Sequence, residues 1–336
     1  MSKVVSSLLE ISELAHAYPD LKVDGGDDIF GDFTFLIKVI PCDQIELIDI
    51  QRSSSDGEEK KVTMTEKQVI ADFFKRGTYG LDASLGQGFV ERVHFKLIEE
   101  LAKQEMKDGN FPAAEKLLFR ELQISEDLSD DLYKIITLNN LGLIKYIQKD
   151  NLSSRTYLNH ALTILDEIFL EDSFLVDLLV DEEGEDGQVV TSRSIGKIDV
   201  PLRFSEEFDK EPNIVVQKVS LLKRLAGNIH GNIASNDLEQ ELLSQAMEGY
   251  SRALQFHREI EDKENMSQDL KNLGIVAKAL GDIPTACSYW RDCKDIYYEL
   301  KRRDERRINA NHWVSLIEEL CTEMHRVGCN DQSVNI

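Results

Sequence analysis

Residues 270–300 read LKNLGIVAKALGDIPTACSYWRDCKDIYYEL. Two stretches with helical periodicity flank the turn Leu280-Gly281-Asp282-Ile283, and small or shape-matched residues recur through them at fixed offsets. Counting from Gly274, they are Ala286 at +12, Trp290 at +16 and Cys293 at +19. The same offsets appear upstream. Gly142 is followed by Ser154, Leu158 and Ala161, and Ala102 by Ala114 and Leu118, with forty residues between Ala102 and Gly142. Two antiparallel helices joined by a short turn need small residues where their backbones approach, and larger ones facing the next pair. Between these units, Ala246, Tyr250 and Ala253 each precede Ala286, Trp290 and Cys293 by forty residues. Gly227 is the marker read for the first helix of that unit. It lies nineteen rather than twelve residues before Ala246, which implies about seven residues added within ASNDLEQEL.

These units resemble tetratricopeptide repeats of the longer, roughly forty-residue kind. The resemblance rests on Asn140-Leu141-Gly142 and Asn272-Leu273-Gly274, on the turns Asp108-Gly109-Asn110-Phe111 and Leu280-Gly281-Asp282-Ile283, and on Ala161-Leu162 and Ala253-Leu254. Repeat one departs from it at Glu121, where a small residue is usual, and repeat two at Ser154, where Ala is usual. The resemblance implies a mainly α fold: a superhelix of about four helix pairs whose first helices line a groove for segments of other proteins. The repeats fall at about 92–126, 130–168, 214–260 and 264–301 within a domain spanning 91–327.

The flanks read differently. The first residues, MSKVVSSLLEISELAHAYPD, read as a short amphipathic helix rather than a secretory signal. IFGDFTFLIKVI, QIELIDI and KKVTMT are strand-like runs, and a helix capped by Thr65 is expected after them, so 1–90 forms a small α/β lead-in of unknown role. Segment 169–212 holds thirteen acidic and four basic residues and reads as an insertion, either a solvated loop or a small hairpin. An end helix over 304–327 carries Trp313, Leu316, Ile317, Leu320 and Met324 on one stripe, after a basic turn at 301–303 and 306–307, and 328–336 is a tail.

With 39 basic and 62 acidic residues, a net charge of −23 opposes a nucleic-acid or anionic-membrane partner. No apolar run nears the ~20 residues a bilayer span needs. The five cysteines (42, 287, 293, 321 and 329) lack metal-ligand spacing and read as free thiols of a cytoplasmic protein. The seven histidines read as boundary or surface residues, and Asp181–Asp186 lacks the oxygen spacing of a calcium loop. No hydrolase, phosphate-loop, zincin or dinucleotide motif is present, and Gly80–Gly88 lacks the Lys-Ser/Thr of a phosphate loop. The expectation is a non-enzymatic scaffold or adaptor without metal or cofactor.

If first helices line the groove, positions −3, +1 and +4 from each marker share one stripe. They are Glu99, Lys103 and Met106; Asn139, Leu143 and Tyr146; Arg224, Asn228 and Gly231; and Lys271, Ile275 and Lys278. Asn139, Tyr146, Arg224, Asn228, Lys271 and Lys278 are the expected partner contacts, suited to an extended, acidic protein or peptide segment. The acidic insertion 169–212 is an alternative occupant of the same groove in cis. Two further readings stay open: an assembly chaperone for a subunit of a larger complex, and a regulatory or substrate-presenting subunit of an enzyme that acts through 1–90.

Overall fold

The computed structural model describes residues 33–40, 44–51, 60–65, 95, 98–170, 172–183, 189–209, 212–304 and 310–329. The helices expected near the N-terminus and after Thr65, the glycine-rich link at 80–88, residues 184–188 of the insertion, Cys42, His16, His94, Arg306-Arg307 and the tail from 330 lie outside the described residues. The chain divides into two compact units, 1–144 and 145–336, each described by itself.

In the first unit, the β-branched and aromatic runs form strands β1 (Phe33–Ile40), β2 (Gln44–Gln51) and β3 (Lys60–Thr65). They make an antiparallel meander in chain order, with Phe33 opposite Gln51 and Gln44 opposite Thr65. Helices follow at 98–107 (α1), Phe111–Leu128 (α2) and Asp131–Ile147 (α3). Phe95 stacks on Tyr133 with centroids 3.9 Å apart, over Ile98 and Ile124. Glu121, the departure from the small-residue pattern, is fully buried on α2, where the Thr137 hydroxyl of α3 donates to its carboxylate at 2.7 Å.

In the second unit, α4 (Asn151–Phe169) leads into strands β4 (Ser173–Glu183) and β5 (Val189–Pro201), so the insertion takes the hairpin form. A 3-10 turn at Leu202–Phe204 and the short helix α5 (Ser205–Phe208) connect it to α6 (Pro212–Glu239). Then come α7 (Leu243–Glu259), α8 (Lys263–Ala279), α9 (Ile283–Asp304) and α10 (Ala310–Arg326). At the hairpin base Phe174 meets Phe208 edge-on, Ile198 and Val200 are buried, and so are Val215 and Val219 on the first turns of α6.

The forty-residue period is written in the backbone of the turns. Gly109, Lys149, Glu241 and Gly281 all have left-handed φ, at 76°, 65°, 59° and 84°. At each, its N–H bonds the carbonyl three residues back and the next N–H bonds the carbonyl five back, closing the helix in a Schellman motif. Counted back seven residues, the markers are Ala102, Gly142, Ala234 and Gly274. Ala234, not Gly227, therefore marks repeat three, twelve residues before Ala246 as in the other repeats. No residues are added between its helices, which corrects the expected insertion in ASNDLEQEL. The packing agrees, because a Cβ at Gly249 of α7 would stand only 2.8 Å from the Ala234 Cβ. The extra length lies at the start of α6, a 28-residue helix against the 17 of α8. Gly227 has a different duty: the His257 ring lies on it, leaving no room for a Cβ.

Second helices end in the same motif at Ser129 and Glu261, again with positive φ. Repeat two diverts at the corresponding place, around Leu170, into the hairpin, and α9 runs on as helix to Asp304. One ion pair also recurs at the period: Lys223 to Glu259 at 2.7 Å and Lys263 to Glu299 at 2.6 Å, both partners displaced by forty residues.

The end helix α10 buries Trp313, Ile317, Leu320 and Met324 in one core with Leu273, Trp290 and Tyr297, as its stripe predicted. Two cysteines differ from expectation. Cys287 of α9 and Cys329, three residues past α10, form a disulfide with Cα atoms 5.6 Å apart. The return of α10 across the last pair brings together residues 42 apart in sequence. Cys293 and Cys321 are free thiols, and burial pushes the Cys293 thiol up to about 11.

Candidate functional site

Helix α8 shows how the face of a first helix is built. Asp262 caps it, accepting from the Asn265 N–H at 3.2 Å, and Gly274 lets the Trp290 indole of α9 lie on its backbone. That indole donates to the Lys271 carbonyl at 3.1 Å. With its inner face so fixed, α8 leaves Gln268 and Ile275 exposed and Lys271 and Lys278 half-buried, spaced at helical intervals along one side.

The two lysines hold carboxylates. Lys271 pairs with Glu319 of α10 at 3.0 Å, and Lys278 pairs with Glu323, whose carboxyl this ammonium holds below the usual range. On α6, Arg224 donates to Asp262, the cap of α8, at 2.7 Å, while Asn228 is half-buried one turn further on. With Ala234 as marker, Arg224 and Asn228 stand at −10 and −6. Arg224 is thus two turns, roughly 10 Å, nearer the helix start than the register assumed, on nearly the same side. Positions −3, +1 and +4 of repeat three are Gly231, Ser235 and Leu238. The Ser235 hydroxyl shares a 2.9 Å hydrogen bond with that of Tyr250.

Tyr146 opens the second unit. Burial and the nearby Glu239 carboxylate raise its phenol pKa, and the Lys149 ammonium stands 5.5 Å from its ring centre. Lys149 pairs with Glu239 in turn. Asn139 is half-buried on α3 in the first unit. The structure therefore brings Arg224 and Asn228 onto α6, and Lys271 and Lys278 onto the first helix of the next pair, α8.

Sequence reasoning missed the acidic partners Asp262, Glu319 and Glu323, because pairing across helices leaves no local signal. It could have found Ala234: Asn140, Asn232 and Asn272 each stand two residues before a marker. It also misplaced two histidines. His257 is buried with its Nδ1 2.6 Å from Asp269, and His230 is buried against Phe256. Both lie at the inner contact of α6 with α7, where helix period alone does not separate a polar core residue from a boundary one. Burial raises the Asp269 carboxyl pKa, with the His257 hydrogen bond opposing. Among the described residues no three His, Cys, Asp or Glu side chains converge as metal ligands. No described helix is long and apolar enough to cross a membrane.

Paired helices closed by one repeated turn, with small residues at a forty-residue period, define a tetratricopeptide-like helical-repeat protein. No family model and no curated protein sequence matches the chain. Among solved structures, the apo form of RapI is similar over 78% of this chain and 54% of its own, at 12% identity and a TM-score of 0.43. A Rap conjugation gene regulator of the plasmid pLS20, solved with a Phr peptide, is similar over 82% and 60% at 12% identity and 0.40. A putative kinesin light chain repeat protein from Podosopora anserina is similar over 70% and 97% at 11% identity and 0.39. The chain thus spans little more than half the length of the two Rap proteins.

Proposed function

We propose that this protein is a non-enzymatic scaffold or adaptor that holds a segment of another protein on the outer face of the first helices of its second unit, with Tyr146, Arg224, Asn228, Lys271 and Lys278 as contacts. One observation carries the reading: Arg224, Lys271 and Lys278 each hold a carboxylate. These side chains are set for carboxylate recognition, and their present partners are surface or half-buried groups that an acidic segment of a partner can replace. Asn228 adds a donor and an acceptor for an extended backbone. The same chemistry favours an acidic partner segment over a basic one.

The test compares capture of a partner from the native source by the wild-type chain and by Arg224→Gln/Asn228→Ala. Neither substitution removes a core contact, so the melting temperature should stay unchanged while the captured partner falls several-fold. Full capture by a folded double variant would exclude this face.

A further inference from the structure

The last helix pair carries a second surface, defined by what lies on it. Helix α10 reaches it with four buried apolar side chains, Trp313, Ile317, Leu320 and Met324, and with two carboxylates four residues apart, Glu319 on Lys271 and Glu323 on Lys278. None of these contacts is particular to a segment of the same chain. Any amphipathic helix with that stripe and that pair of acids meets the same apolar face and the same two ammonium groups. Besides the chain itself, the Cys287–Cys329 disulfide is an attachment specific to the resident helix. The chain enters α10 from α9 at its N-terminal end, and the disulfide returns its C-terminal end to α9. With the bond closed, α10 is tied to α9 at both ends. With it open, α10 is tied at one end and held elsewhere by exchangeable contacts.

We propose that the α8–α9 face is a docking site for an acidic amphipathic helix of a partner, that α10 is its resident occupant, and that the Cys287–Cys329 disulfide decides whether α10 yields. This rests on the reading of Lys271 and Lys278 given above and adds the partner's form and its control. The opening step is a two-electron reduction by a thiol such as glutathione. A thiolate attacks the sulfur of Cys329, the less buried of the pair, and forms a mixed disulfide. The Cys287 sulfur leaves as a thiolate and takes a proton. A second thiol then resolves the mixed disulfide, so that two protein thiols and one oxidised glutathione result. Oxidation by the reverse steps locks α10 again.

Two measurements on the full-length chain test this. In hydrogen exchange, reduction of the wild-type protein should speed exchange of the 310–326 amides at least tenfold relative to those of α6, and unchanged exchange would overturn the proposal. In the second, the Cys329→Ser chain is incubated in glutathione redox buffer with a synthetic peptide of residues 310–329 carrying Cys321→Ser. A seated peptide places its own Cys329 at Cys287, and mass spectrometry should find that adduct. A Glu319→Lys/Glu323→Lys peptide should give at least fivefold less. Absence of the adduct, or equal yields from both peptides, would overturn the proposal even if the Arg224→Gln/Asn228→Ala test succeeds. Loss of that first test alone would leave the α10 exchange standing.

Discussion

Gly274 shows how a single position sets the spacing of a helix pair. The Trp290 ring occupies the space a Cβ would need, and its N–H is spent on the Lys271 carbonyl. Gly274→Ala should therefore destabilise the second unit by about 1–3 kcal/mol, the usual range for overpacking a tight core, and a urea melt checks it. The capping aspartates give the acid sensitivity a sign. Hydrogen bonds from Ser153 and Thr285 hold the carboxyls of Asp150 and Asp282 below the usual carboxylate range. A depressed carboxyl stabilises the fold above its unfolded pKa, and that contribution is lost as the pH falls through the lower native value. Asp282→Asn keeps a cap but does not titrate, so the loss of stability on acidification should be shallower than in wild type. Equal slopes would remove Asp282 from the acid response.

At the scale of elements, much was legible in sequence because it is local. The strand runs at 33–65 and the hairpin alternative for 169–212 follow from β-branched and aromatic residue types between turn residues, and the stripe of α10 from side-chain period. The register of α6 was not, because Gly227 imitates the glycine of repeats two and four while Ala234 does the marking. Gly227 is small for another reason, the His257 ring on its backbone. The disulfide was illegible for a related reason, since nothing near Cys287 or Cys329 announces that α10 folds back. The corrected register makes its own prediction. Glu241 holds the left-handed turn position that glycine fills at 109 and 281. Glu241→Gly should raise stability by about 0.5–1 kcal/mol, relief of that strain outweighing the freer unfolded chain. A decrease in a thermal or denaturant melt would mean that the turn of repeat three is not equivalent to the others.

At the scale of the whole chain, the net charge of −23 hides where the charges are used. In the second unit, the cations expected to face a partner are paired within the chain, each with a carboxylate at or in the helix two further along. The candidate contacts were thus partly legible as residue types, and their occupancy was not, because pairing is decided by helices folded side by side. On the proposed reading, an acidic segment would exchange with Asp262, Glu319 or Glu323 rather than meet bare cations. In the proposed function, this exchange takes place on the outer face of the first helices. Hydrogen exchange of the full chain, alone and in complex with the partner it captures, tests that most directly. Protection should rise in 224–238 and 268–279, with the β4–β5 hairpin unchanged. Protection confined to the hairpin or to 33–65, with α6 and α8 unaltered, would contradict it.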